Sequence, residues 1–112
     1  MNYKIKQFTG DQAKLTRMPP EHELNQISLW NDAKFCLRFP GRSRAEVWFA
    51  YDKSKMIGFI VGRDYQCWYI GVLPEYRMQG VGTALVKTSG LWHPKDVLPS
   101  AIEFWESLGS LV

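Results

Sequence analysis

The stretch Tyr69-Ile-Gly-Val-Leu-Pro-Glu-Tyr-Arg-Met-Gln-Gly-Val-Gly-Thr-Ala-Leu-Val-Lys87 admits few folds. It opens with residues suited to a strand, turns at Pro74, passes through a glycine-bearing loop and starts a helix. Arg77, Gly80 and Gly82 stand in an R-x-x-G-x-G arrangement where that helix begins. A helix start offers unpaired backbone N–H groups to an anion, and the helix dipole adds to the attraction. Glycines there keep side chains out of the way of phosphate oxygens. Two common phosphate sites are excluded by spacing. A dinucleotide fingerprint needs a third glycine where this chain has Leu85, and a P-loop needs a lysine where it has Thr83. A pyrophosphate-sized anion site of another kind remains.

The segment Val72-Leu-Pro-Glu-Tyr-Arg-Met-Gln-Gly-Val-Gly-Thr83 resembles the acetyl-CoA loop of the GNAT superfamily of N-acetyltransferases. In that family a strand ends V-x-P, and [QR]-x-x-G-x-[GA] then opens a helix. This chain matches each of those positions. The resemblance implies a mixed α/β (α+β) fold: a mostly antiparallel, twisted sheet flanked by helices. It also implies a bulge near the end of the fourth strand that splays it from the fifth. The exposed backbone at Ile70, Gly71 and Val72 would then pair with the pantetheine arm of acetyl-CoA, as a cofactor form of β-augmentation. Arg77, Met78, Gln79, Gly80, Val81, Gly82 and Thr83 would hold the pyrophosphate, with Phe104 and Trp105 beside the arm. An amine would attack the thioester directly, so Cys67 need not act as a nucleophile.

The catalytic positions depart from the pattern. A common base in the family is a glutamate early in the fourth strand, where this chain has Gln66. Glutamine cannot take a proton at neutral pH. Asp64 and Glu46 could act through water, although a solvated strand-end carboxylate is the simpler role for both. The family's acid is a tyrosine in the last helix, in a pattern like N-x-x-A-x-x-F-Y-x-x-x-G-F. Ala101, Phe104 and Gly109 fit that pattern, while Leu98, Trp105 and Ser110 replace its asparagine, tyrosine and last phenylalanine. An indole N–H is no practical acid. Tyr65, Tyr69 and His93 are the substitutes, His93 reading more simply as a surface residue. Gln66, Tyr69 and Trp105 are therefore the catalytic candidates, and no metal site is expected.

The 112 residues suit one domain with one core, spanning 1–112. No apolar run approaches the roughly 20 residues that cross a bilayer, and the alternating, charged start reads as a strand and not as a leader. Cys36 and Cys67 lack metal spacing and read as free thiols of a reducing compartment, the cytoplasm. The charge is uneven: residues 1–44 carry eight Lys/Arg against four Asp/Glu, and residues 45–112 six against seven. Lys34, Arg38, Arg42 and Arg44 supply much of that excess. They form either a solvated basic loop or a surface for an acidic partner or for outlying phosphates of a cofactor. No nucleic-acid motif accompanies them.

Periodicity and breakers predict the remaining elements. A strand near Tyr3–Phe8 ends at Thr9-Gly-Asp11. Pro19 and Pro20 introduce a helix with Leu24, Ile27 and Leu29 or Trp30 inward, ending near Trp30. Residues 31–44 read mostly as loop, with a short helical turn at 33–37. Ala45–Tyr51 and Met56–Gly62 form an antiparallel hairpin, and Gln66–Val72 is the next strand. A helix follows from about Gly80 to Lys87 with Val81, Ala84 and Leu85 inward, stopped at Gly90. Residues 90–97 are short for a full fifth strand. Pro99 opens a last helix with Ala101, Phe104, Trp105 and Leu108 on one face.

The family continues past this helix with two further strands, so the C-terminal strands are expected to be abbreviated. An unfinished sheet edge would invite a homodimer. Two functions stay open: an acetyltransferase acting on an amine, or an inactive acyl-CoA-binding module working through protein or nucleic-acid contacts.

Overall fold

The computed structural model describes residues 3–109. Ser110, which stands at the last position of the C-terminal pattern, lies outside them. Five strands form one sheet in sequential order: β1 (Lys4–Gln7), β2 (Glu46–Asp52), β3 (Lys55–Arg63), β4 (Gln66–Val72) and β5 (His93–Pro94). The first three pairings are antiparallel, and β4 pairs with β5 in parallel. Four α-helices accompany it: α1 (Ser28–Leu37), α2 (Pro40–Ser43), α3 (Val81–Ser89) and α4 (Ile102–Ser107). Sequence and structure agree closely for the hairpin, for β4 and for α3.

The central strand β3 explains the layering. Residues Ile57–Gly62 are all buried, so both faces of the strand are covered. Phe59 meets the Trp30 ring of α1, with centroids 4.9 Å apart, and Trp30 also stands edge-on to Phe49. Successive residues point to opposite faces, so Gly58 looks the other way, toward Leu85 of α3. Helix α1 therefore covers one face and α3 the other. Leu24, Ile27, Trp30, Ala33 and Leu37 join the sheet residues in one buried cluster.

The segment between β1 and β2 differs from its sequence reading. The expected helix to Trp30 is only a 3₁₀ turn, Glu23–Gln26. The chain then extends at Ile27, and the real helix runs Ser28–Leu37, through residues that read as loop. The stripe Trp30-Ala33-Leu37 at i, i+3, i+7 is what this helix buries. Proline placement gives the physical reason. Pro40 sits in the first turn of α2, and the residue before it, Phe39, is driven out of helical geometry. Pro40 thus separates two helices instead of marking a long loop.

In α3, Val81, Leu85 and Val86 are buried, while Ala84 is half-buried. The last helix is preceded by a 3₁₀ turn at Pro99–Ala101, and Trp105 is its one fully buried residue.

Tight packing at Gly71 ties α1 to the sheet. A Cβ there would lie 2.7 Å from Ile27 Cγ2 and 2.8 Å from Phe59 Cε1. Gly71→Ala is expected to destabilise the protein by about 1–3 kcal/mol, the cost of overpacking a core. Gly41→Ala, with nothing within 4 Å of its Cβ, should stay within about 0.5 kcal/mol of wild type. Urea unfolding of the pair checks this; equal midpoints would refute it.

Candidate functional site

The site begins with a bulge. The register between β3 and β4 shifts at Val61/Gly62, with Val61 opposite Tyr69 and Gly62 opposite Cys67. Trp68 is the extra residue. A Cβ on Gly62 would collide with the backbone carbonyl of Gln66, so a glycine is required where the strands draw together. The resemblance implies a bulge near the end of the fourth strand, whereas here it falls in the first half of β4.

The bulge coincides with the end of β4–β5 pairing. That pairing covers Gln66 and Cys67 alone, and Lys95 N donates to Cys67 O at 2.8 Å as its last bond. Beyond it β4 is an open edge. Leu73 N donates to Ile57 O on the β3 side. By the two-residue alternation, Ile70 and Val72 present their backbone groups to the open side. The Val72 carbonyl is already engaged, accepting from Arg77 Nε at 3.2 Å. Ile70 N–H, Ile70 C=O and Val72 N–H are left as the row facing outward. Gly71 lies between them and serves packing.

The open edge leads to the start of α3. Gly80 is its N-cap, with φ +82°, a backbone conformation that only glycine adopts freely. No side chain caps this end. The N–H groups of Val81, Gly82 and Thr83 precede the first intrahelical bond, from Ala84 N to Gly80 O at 3.0 Å. Met78 and Gln79 are exposed in the preceding loop, where Gln79 Nε2 donates to Glu75 O. Tyr3 braces the loop from the start of β1, its hydroxyl donating to Gly80 O at 3.2 Å. The described residues give Arg77's terminal nitrogens no partner, so the guanidinium stands at the junction of edge and loop. This arrangement suits a pyrophosphate at α3 and an amide-bearing arm along β4.

The second glycine of the loop has a different job from the first. A Cβ on Gly82 would lie 3.1 Å from Phe104 Cε1 and 3.9 Å from Val72 Cγ2. Gly82 thus lets the C-terminal helix close on α3. Phe104 is half-buried, and its ring stands edge-on to Trp105. Trp105 is 2 % exposed and belongs to the core. Phe104 reaches the loop; Trp105 supports it from behind.

At the other end of the edge, a cleft of about 670 Å³ opens beside Gln66, Trp68 and Tyr69. Gln66 is exposed, and its Oε1 accepts from Trp68 Nε1 at 3.2 Å. Tyr69 is half-buried. Burial pushes its hydroxyl above the usual tyrosine range, and Cys36, Asp32 and Asp96 push the same way. It therefore stays protonated at neutral pH, able to donate. The cleft is also lined by residues that the sequence does not single out for a site: Cys36, Ser43 and Lys95, with Arg63 and Asp96. They come from α1, α2 and the ends of β3 and β5, and no spacing in the sequence connects them.

Other candidates fall away. Tyr65 is 72 % exposed on the Asp64–Tyr65 turn and does not line the cleft. Glu46 lies on β2 and His93 is exposed on β5. Asp64 does line the cleft, paired with Arg63 Nε at 3.4 Å. The basic cluster disperses: Lys34 donates to Asn25, Arg38 lies over Phe35, and Arg42 turns to the cleft. Among the described residues, no three His, Cys, Asp or Glu side chains gather as a metal site. No helix among them is long and apolar enough to cross a membrane.

Comparison with known proteins follows the same lines. A family model described as an acetyltransferase (GNAT) domain matches residues 43–109. No curated protein matches the chain by sequence. Among solved structures, a GCN5-related N-acetyltransferase from Rhodopseudomonas palustris superposes with TM-score 0.66 at 17 % identity, over 96 % of this chain and 80 % of that one. A ribosomal-protein-alanine N-acetyltransferase from Brucella melitensis biovar Abortus 2308 gives 0.65 at 15 %, over 96 % and 91 %. An aminoglycoside acetyltransferase from an uncultured soil metagenomic sample gives 0.65 at 13 %, over 98 % and 89 %.

Cys67 offers a check on the environment of β4. Burial pushes its thiol from 9.0 up to about 12. A raised folded-state value means that the folded protein holds the proton longer than the unfolded chain. This contribution to stability is whole below pH 9 and is lost as pH rises toward 12. Cys67→Ala should flatten the fall in stability over that window, followed by urea unfolding at stepped pH. An unchanged slope would contradict the burial of this thiol.

Proposed function

This chain belongs to the GNAT family of acetyltransferases, and we propose that it moves an acetyl group from acetyl-CoA to an amine by direct attack in a ternary complex. The observation that carries the reading is the continuous path from the uncapped start of α3, along the open edge of β4, into the cleft beside Tyr69. Its two ends match the two partners such a reaction must bring together. The whole chain acts as one acyl-CoA-binding domain on this reading, and its two free thiols suit the cytoplasm.

When bound, acetyl-CoA supplies a thioester activated toward amines. The N–H groups of Val81, Gly82 and Thr83 and the guanidinium of Arg77 hold the pyrophosphate. The outward backbone groups of Ile70 and Val72 hold the arm in register. The amine nitrogen bonds to the acyl carbon as the carbon–sulfur bond breaks. The amine's proton leaves to water, the Tyr69 hydroxyl donates a proton toward the departing sulfur, and Tyr69 then recovers a proton from solvent. Gln66 can orient a water or the amine but cannot accept the proton. Positioning carries much of the rate, an effect that reaches roughly 7–11 kcal/mol when reactants are well aligned.

Calorimetric titration with acetyl-CoA tests the cofactor end. Saturable binding is expected in the wild type and loss of it in Gly80→Trp. Gly80→Asn, which tolerates the same backbone conformation, separates blocking from strain. No binding to the folded wild type would overturn the reading.

A second test addresses Tyr69. Tyr69→Phe should lower kcat by about a hundredfold or more with a smaller change in KM, the size of a lost general acid. An unchanged kcat would remove Tyr69 from the chemistry.

A further inference from the structure

The charges around the cleft are not what an acceptor site for polyamines or other polycations would need. Three cations reach it from separate elements: Arg42 from α2, Arg63 from the end of β3, and Lys95 from just beyond β5. Two acids accompany them, Asp64 and Asp96. Asp64 pairs at the surface with Arg63, at 3.4 Å from its Nε. Among the described residues, Arg42 and Lys95 make no ion pair and no side-chain hydrogen bond.

Like charges brought to one concavity repel each other and attract a counter-charge. The hydroxyl of Ser43, another lining residue, is buried with no hydrogen-bond partner. Carboxylates lie near Tyr69 as well. Asp96 lines the cleft there, and Asp32 is near enough to act on the Tyr69 hydroxyl. The cleft thus carries both unpaired cations and carboxylates, the latter near Tyr69.

We propose that the acceptor is an amine that also carries an anionic group, a carboxylate or a phosphate, held by Arg42 and Lys95 while its amine lies between Asp96 and Tyr69. This inference rests on the reading of the cleft as the acceptor side. Arg42 supplies a planar fork suited to either oxyanion, and Lys95 a point charge. Asp96 favours the approach of an ammonium, which must lose its proton before attack. A polycation would meet Arg42, Lys95 and Arg63 together and would be repelled.

The test uses acceptors matched in their amine and differing in their acid. One pair is glycyl-glutamate amide with glycyl-glutamine amide. The other is glucosamine 6-phosphate with glucosamine. Spermidine serves as the polycation. Acetyl transfer is followed for each with the wild type and with the double variant Arg42→Gln, Lys95→Gln. The acidic member of at least one pair should have the higher kcat/KM by about tenfold or more, the size of one charge-assisted hydrogen bond. The pair that shows it tells carboxylate from phosphate. In the double variant that ratio should fall to about one.

A ratio near one in the wild type, a ratio unchanged in the variant, or spermidine as the best acceptor would each overturn the proposal. Where acetyl-CoA binds and amines turn over without this preference, the acetyltransferase reading stands and only the acceptor class fails. Titration of the same pairs onto the protein by NMR decides the matter independently of turnover. Side-chain shifts at Arg42 and Lys95 with an acidic member alone support the proposal, and their absence refutes it.

Discussion

At Gly62 the backbone of β3 comes closer to the carbonyl of Gln66 than any side chain would allow. The register slips there by one residue, and Trp68 is left without an opposite number. The same place ends the pairing of β4 with β5. A strand that would otherwise be covered on both edges has its second edge opened from Trp68 to Val72. Exposed strand edges are hazards in most proteins, and here the edge is short and partly occupied. Arg77 reaches back to the carbonyl of Val72, so the loop that follows the strand also guards its end.

The rest of the molecule holds that edge in place. Helix α1 presses Trp30 onto Phe49 and Phe59, and Ile27 just ahead of it rests on the bare face of Gly71. Helix α3 rests on the opposite face at Gly58. Phe104 then closes on Gly82, which joins the C-terminal helix to the start of α3. Glycines 58, 62, 71 and 82 thus mark close contacts, while Gly80 answers a backbone requirement. In the sequence Gly80 and Gly82 look alike, since both sit in one loop pattern.

On the proposed reading, catalysis on this scaffold would lean on geometry more than on strong acids and bases. Gln66, at the position where the resemblance implies a basic carboxylate, cannot take a proton, and Trp105 is buried in the core. Tyr69 remains, with its hydroxyl held protonated by burial and by neighbouring negative groups. A site of this kind spends its binding energy on alignment. On the proposed reading its choice of acceptor would follow from the side chains of the cleft, which come from elements other than the loop before α3.

Short-range patterns are legible in the amino-acid order itself. The Val72–Thr83 segment carries its own strand–loop–helix reading because glycine, proline and arginine constrain the chain locally. The hairpin and β4 are equally plain from their β-branched and aromatic residues. Helix α1 escapes such a reading because Pro40 and Gly41 weigh as breakers, when Pro40 only divides one helix from the next. Tertiary structure alone decides the position of the bulge and the membership of the cleft. The bulge depends on how two strands meet at Gly62. The cleft joins Cys36, Arg42, Arg63 and Lys95, residues up to about sixty positions apart in a chain of 112. Sequence determines what each segment prefers to become; which side chains then face each other is set by packing between segments, and no local spacing encodes it.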